Sequence, residues 1–162
     1  MAYVRSTQGS QASIPQPQSH ISWAVAREPT VLVIEDASKL GDALDGICEC
    51  LGIAVERISS YDDLAVTLRR CRPMAVVAEM DAAGQDGCHV LITVAAFDQR
   101  LPVLIITGGD PTLLGAIDAV EEVWHVEAVV KWPRLLGAGE IVNFLFHAGH
   151  SGNCLRLMPL SN

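Results

Sequence analysis

Six residues of this sequence form a candidate constellation of acids, one hydroxyl and one ammonium with metal chemistry in reach: Glu35, Asp36, Glu79, Asp81, Thr107 and Lys131. Each group follows a short apolar run: TVLVI before Glu35-Asp36, MAVVA before Glu79, LPVLII before Thr107 and EAVV before Lys131. Four carboxylates brought to one place raise one another's pKa and call for a counter-charge. A divalent cation with oxygen ligands is a natural one. A hydroxyl and an ammonium are expected at the same edge. A plainer reading stands beside each: acids solvated at a strand end, a threonine bonded to local backbone, and a lysine that only neutralises the acids.

The elements that must bring these residues together are legible in the pattern. The β-branched run at 30–34 reads as a buried strand. A helix is expected over 37–51, with Leu40, Leu44, Ile47, Cys48 and Leu51 on one face and Asp42, Asp45 and Glu49 toward water. Gly52 is expected to stop it. A second strand covers 53–58. Ser60 with Asp63 resembles a capping start for a helix to about position 71. A third strand follows Pro73, and a third helix covers 86–97. The fourth strand is 101–107, and Pro111 suits the first position of a helix running to about 125. A fifth strand is expected at 127–131 and a last helix at 135–148, with Ile141, Val142, Leu145 and Phe146 as its stripe. Trp124 and Trp132 are read as packing residues.

Strands that alternate with helices imply an α/β fold with a parallel sheet covered on both faces. The expectation is a flavodoxin-like (βα)5 three-layer sandwich with strand order 2-1-3-4-5. In that order strands 1 and 3 are neighbours at the switch point, where sites form at the C-terminal ends of strands. The Gln-, Ser- and Pro-rich residues 1–28 read as a disordered arm, 29–150 as the folded domain and 151–162 as a C-terminal tail.

Composition limits the function. Residues 29–150 hold 18 acidic and 8 basic residues, a net charge of −10. Phosphate contacts need clustered Lys and Arg, so nucleic-acid binding is not expected. No apolar run is long enough to span a bilayer and the first residues lack a signal-peptide core, so no membrane partner and a cytoplasmic location are expected. The five cysteines have no metal-ligand spacing and are expected to be reduced. His89, His125, His147 and His150 show no ligand spacing either.

In order and spacing, residues 30–150 resemble a response-regulator receiver (CheY-like) domain. In that family an acidic pair ends strand 1, as Glu35-Asp36 does. The phosphoacceptor Asp ends strand 3, before a loop closing in Asp-Gly, as in Asp86-Gly87. A Thr or Ser ends strand 4, as Thr107 does, and a Lys-Pro ends strand 5. The resemblance implies Mg²⁺ held by Glu35, Asp36, Glu79 and Asp81. It also implies phosphoryl transfer from a phosphohistidine or acyl phosphate, with Thr107 and Lys131 as phosphoryl-binding and switch residues. It implies a non-enzymatic signalling protein of a two-component pathway, partnered by a sensor histidine kinase or another signalling protein. The contact face would be helix 4, strand 5 and helix 5, with a homodimer as a further partner state. Too few residues follow the last helix for an output domain, so a stand-alone receiver is expected.

The sequence departs from that pattern at the chemistry. The acceptor position is Glu79, one methylene longer than Asp, and a misplacement of about 1 Å can cost about a hundredfold in rate. Asp81 stands where the family is usually apolar; it is a substitute acceptor only if the strand end is remodelled by two residues. In VVKWP the lysine position falls on Lys131, or on Trp132 if Pro133 matches the family proline; Lys131 is preferred here because its long side chain can reach over one residue. The aromatic switch residue of strand 5 is missing. Phosphorylation is therefore expected to be impaired or absent. The alternative is a pseudo-receiver acting as a constitutive interaction or dimerisation module. A third reading, a metal-dependent phosphatase-type hydrolase, would need an Asp nucleophile where Glu79 stands.

Overall fold

Strands buried on both faces read as unbroken apolar runs. TVLVI, AVVAE and VLII are such strands: β1 (Thr30–Ile34), β3 (Ala75–Glu79) and β4 (Val103–Ile106). They form the centre of a computed structural model that describes residues 27–34, 40–59, 61–80, 85–134 and 137–151. β2 (Ala54–Ile58) and β5 (Val129–Trp132) are the edges. All pairings are parallel and the order is β2-β1-β3-β4-β5, as the sequence pattern predicts.

Among the described residues five α-helices cover the sheet: α1 (Leu40–Leu51), α2 (Leu64–Cys71), α3 (Gln85–Phe97), α4 (Pro111–Trp124) and α5 (Ala138–Ser151). Side chains alternate along each strand, so the sheet feeds two cores. On one face Val31, Val33, Val77 and Leu104 pack with Leu44 and Cys48 of α1 and Ile141 and Leu145 of α5. On the other, Leu32, Ile34, Val76 and Ile105 pack with Leu68 of α2, Leu91 of α3 and Ile117 of α4. The result is the three-layer sandwich expected from the alternating pattern.

The helix punctuation follows backbone chemistry. Gly52 ends α1 with φ +66°, a left-handed conformation that glycine adopts without strain. The Ile53 N–H then donates to the Cys48 carbonyl at 2.8 Å and the Gly52 N–H to Glu49 at 3.2 Å, satisfying carbonyls the helix leaves open. Pro111 is the first residue of α4, and Asp110 caps that helix by accepting from the Thr112 and Leu113 N–H groups at 2.8 and 3.5 Å.

Four expectations change. Asp63 makes no side-chain cap bond, and a 3-10 turn, Tyr61–Asp63, leads into α2 instead; Ser60 lies outside the described residues. Strand 5 is shifted forward to Val129–Trp132, because the Glu127 N–H is spent on the Gln99 carbonyl at 3.0 Å rather than on the ladder. In α5 the buried stripe is Ile141, Phe144, Leu145 and Ala148; the helix starts at Ala138, which leaves Val142 and Phe146 only half-buried. Trp124 is 40% exposed, with its carbonyl accepting from Gln99, and is not a core residue. Cys48, Cys50, Cys71 and Cys88 form no disulfide among the described residues, and Cys154 lies outside them. Burial, with Asp45 nearby, pushes the Cys48 thiol up to about 11, so it stays protonated at neutral pH.

Ion pairs tie both edge strands to helices. Arg57 of β2 reaches Asp45 of α1 at 2.5 Å, and Glu56 of β2 pairs with Arg70 of α2. On β5, Lys131 Nζ lies 2.5 Å from both Asp118 Oδ1 and Glu121 Oε2 of α4. Burial alone would lower the Lys131 pKa, but hydrogen bonds and charge from Asp118 and Glu121 outweigh it and hold the ammonium above its ordinary value. A raised lysine pKa means stabilisation fully present at neutral pH and lost only as pH climbs through the folded value in strong alkali.

Two stability changes follow. Asp110→Ala removes the α4 cap and is expected to destabilise by about 1 kcal/mol, with Asp110→Asn recovering most of it, measured as urea midpoints at unchanged slope. Lys131→Met leaves Asp118 and Glu121 facing each other without a cation. It is expected to destabilise by about 1 kcal/mol, the upper range for partly exposed pairs, and the deficit is expected to shrink in about 1 M salt, where screening acts within ~3 Å.

Candidate functional site at the C-terminal sheet edge

The C-terminal ends of β1, β3, β4 and β5 meet along one edge of the sheet. Ile34 ends β1 opposite Ala78, so the chain leaves β1 beside Glu79. Glu35 and Asp36 come next, and they lie outside the described residues, as does Asp81. Glu79 is the last residue of β3 and is paired in register with Ile106, which is paired with Trp132. The ladder continues one step further: the Met80 N–H donates to the Ile106 carbonyl at 2.9 Å and the Thr107 N–H to the Trp132 carbonyl at 2.8 Å. Glu79, Thr107 and Trp132 thus share the edge at which a site is expected.

Glu79 is half-buried, and its Oε2 atom is buried with no hydrogen-bond partner among the described residues. An oxygen with negative charge and no donor in a desolvated position is costly unless a cation or donor reaches it. Among the described residues no group of three or more His, Cys, Asp or Glu side chains stands close enough to hold a metal ion. Three of the four carboxylates expected around a metal are outside that set. The orphaned oxygen nonetheless fits a hard cation, whose ligands would be oxygens of this type.

Thr107 is 2% exposed and directly follows β4. Its hydroxyl donates to the Trp132 carbonyl at 3.3 Å and accepts from the Gly109 N–H at 3.4 Å. It therefore joins the ends of β4 and β5 to the turn before α4, a local bonding role of the kind open to any threonine at a strand end. Gly108 and Gly109 complete that turn with φ +63° and +83°, conformations that favour glycine.

Lys131 does not share this edge's chemistry. Alternation places Trp132 on the same face as Glu79, packed against the core beneath α1 and α5, and turns Lys131 to the opposite face, beneath α4. There it is held by Asp118 and Glu121. Trp132, and not the Lys131 preferred from the sequence, shares the row and the face of Glu79. The reach of a lysine over one residue does not help when the residue points through the sheet. Asp118 and Glu121 carried no signal in the sequence beyond their spacing of three on one helix face.

The loop after β3 is bounded by a tight contact. A Cβ at Gly87, near the start of α3, would lie 3.0 Å from Met80 Sδ and 3.5 Å from Leu113 Cδ1. Met80 follows Glu79 and is 5% exposed. Glycine at this position leaves room for the Met80 thioether and the Leu113 side chain beside α3.

No protein-family model matches this sequence, and no curated protein matches it. Its similarity is to solved structures. The beryllofluoride-activated NtrC receiver domain is 18% identical, with 80% of this chain and 99% of that chain covered and a TM-score of 0.58. The receiver domain of an HD domain-containing protein from Pseudomonas fluorescens is 17% identical, covering 80% and 93%, with a TM-score of 0.62. The chemotaxis response regulator CheY4 of Vibrio cholerae is 14% identical, covering 74% and 98%, with a TM-score of 0.58. A de novo designed Rossmann 2x3 protein, 11% identical, also aligns, covering 82% and 98% with a TM-score of 0.53, so the likeness describes architecture rather than activity. With its strand order and these neighbours, the chain has the fold of the CheY-like response-regulator receiver domains.

Proposed function

We propose that the chain is a receiver-like signalling module that works by protein contact and does not use Glu79 as a phosphoacceptor. The observation that carries this reading is the row Glu79–Ile106–Trp132. An acceptor of the wrong length shares a row with an indole two strands away where an ammonium is wanted, and the neighbouring ammonium is engaged by α4 on the other face. Phosphoryl transfer needs in-line positioning and cationic neutralisation of the moving oxygens. Here the first is displaced by a methylene and the second lacks its lysine.

A cation at this edge is part of the proposal. Mg²⁺ would be held by Glu35, Asp36 and Glu79, with Asp81 as a fourth candidate, and when bound it would neutralise their mutual repulsion. The orphaned Glu79 oxygen supports it. The contact surface we assign is α4, β5 and α5, and its partner a sensor kinase or another signalling protein. The Lys131 ion pairs favour the pseudo-receiver form of this reading, because they fix α4 to β5 without any phosphoryl group. Among the described residues no helix is long and apolar enough to cross a membrane.

Intact-mass measurement after incubation with acetyl phosphate and Mg²⁺ tests the reading. The natural chain and Glu79→Asp are expected to gain nothing, or a trace for the latter. Glu79→Asp combined with Trp132→Lys is expected to gain one phosphoryl group, lost again on adding Asp36→Ala. A phosphoryl group on the natural chain, at Glu79 or Asp81, would sink the proposal.

A further inference from the structure

At the end of the sheet remote from Glu79, a groove of about 270 Å³ opens between α5 and the beginnings of β4 and β5. Pro102, Val130, Phe144 and Ala148 form its apolar walls, and Glu127 and His147 stand beside them. Its volume lies below the roughly 300–1,000 Å³ of small-molecule pockets, which suits a few aliphatic side chains better than a cofactor.

We propose that the occupant is this chain's own C-terminal segment 155–160, LRLMPL. Three observations converge on it. First, α5 ends at Ser151, at the same end of the molecule as the groove, and Phe144 and Ala148 are on its last two turns. Gly152 follows at the position where glycine reverses the chain after a helix. Second, the reach fits. Phe144 lies about 10 Å back along α5 at about 1.5 Å per residue, and an extended return of four to six residues spans about 13–20 Å. Third, the chemistry fits. In an extended segment Leu155, Leu157 and Pro159 fall on one side and Arg156 on the other. Arg156 is the only charged residue after Ser151, and the acid beside the groove, Glu127, has among the described residues a loose pair with Arg100 at 3.7 Å.

Backbone amide spectra of the full chain and of a full-chain Leu155→Ser/Leu157→Ser variant test this. The variant is expected to shift the amides of Val129, Val130 and residues 144–148, and the natural chain's spectrum is expected not to change on dilution. Shifts confined to residues 149–162 would overturn the proposal. So would groove shifts that vanish on dilution together with a dimer mass, which would assign the groove to a second copy, or accompanying shifts in residues 1–26, which would assign it to the N-terminal arm. Cross-linking gives a second readout. With Cys50, Cys71 and Cys88 changed to Ser, mild oxidation is expected to join Cys154 to an Ala128→Cys thiol within one chain, and not to a Val66→Cys thiol on α2. The reverse outcome would also overturn the proposal.

Discussion

Successive residues of a strand point to opposite sides of the sheet, and a shift of one residue exchanges every side chain between them. In β5 this constraint decides what the candidate site contains. Val130 and Trp132 pack toward α1 and α5, so Lys131 must lie beneath α4. The core holds that phase, because Val129 belongs with the opposite cluster and neither valine could change sides without moving a strand that is hydrogen-bonded along β4. Asp118 and Glu121 meet the lysine where the constraint puts it. The composition of the C-terminal edge is thus set by packing two residues away from it as much as by the acids themselves.

The same edge is rigid for reasons of hydrogen bonding. Thr107 uses its amide, its carbonyl and its hydroxyl on neighbouring backbone: the Trp132 carbonyl takes both its N–H and its O–H, and its own carbonyl accepts from the Asp110 N–H at 3.3 Å. Asp110 in turn caps α4. Strand 4, strand 5 and the start of α4 are therefore one bonded unit. Gly87 packed on Met80 closes the other side of the edge.

Much of this architecture was legible in the sequence, and the reason is redundancy. The central strands are apolar on both faces, so their identity does not depend on phase, and Gly52 and Pro111 act through local backbone rules. What could not be read depended on phase or on distant partners. β5 is short and half-buried on every residue, so its pattern shows no alternation to count, and Lys131 and Trp132 could not be told apart. In α5 both Val142–Phe146 and Phe144–Ala148 have helical spacing; the choice rests on where the helix begins after Pro133. Of the site itself, Glu79 and Thr107 were legible as strand-end residues, whereas the sequestering of Lys131 required the fold of α4 over β5.

The two margins of the sheet share one trait. β2 carries Glu56 and Arg57 at its middle, each fastened to a covering helix, and β5 carries Lys131 fastened to α4, with Pro133 directly after it. A proline offers no amide, and charged side chains held over an edge discourage another strand from pairing there. Growth of the sheet by strand addition would have to unfasten these contacts on either side. The sheet inside is thereby insulated from the self-templating that open strand edges invite.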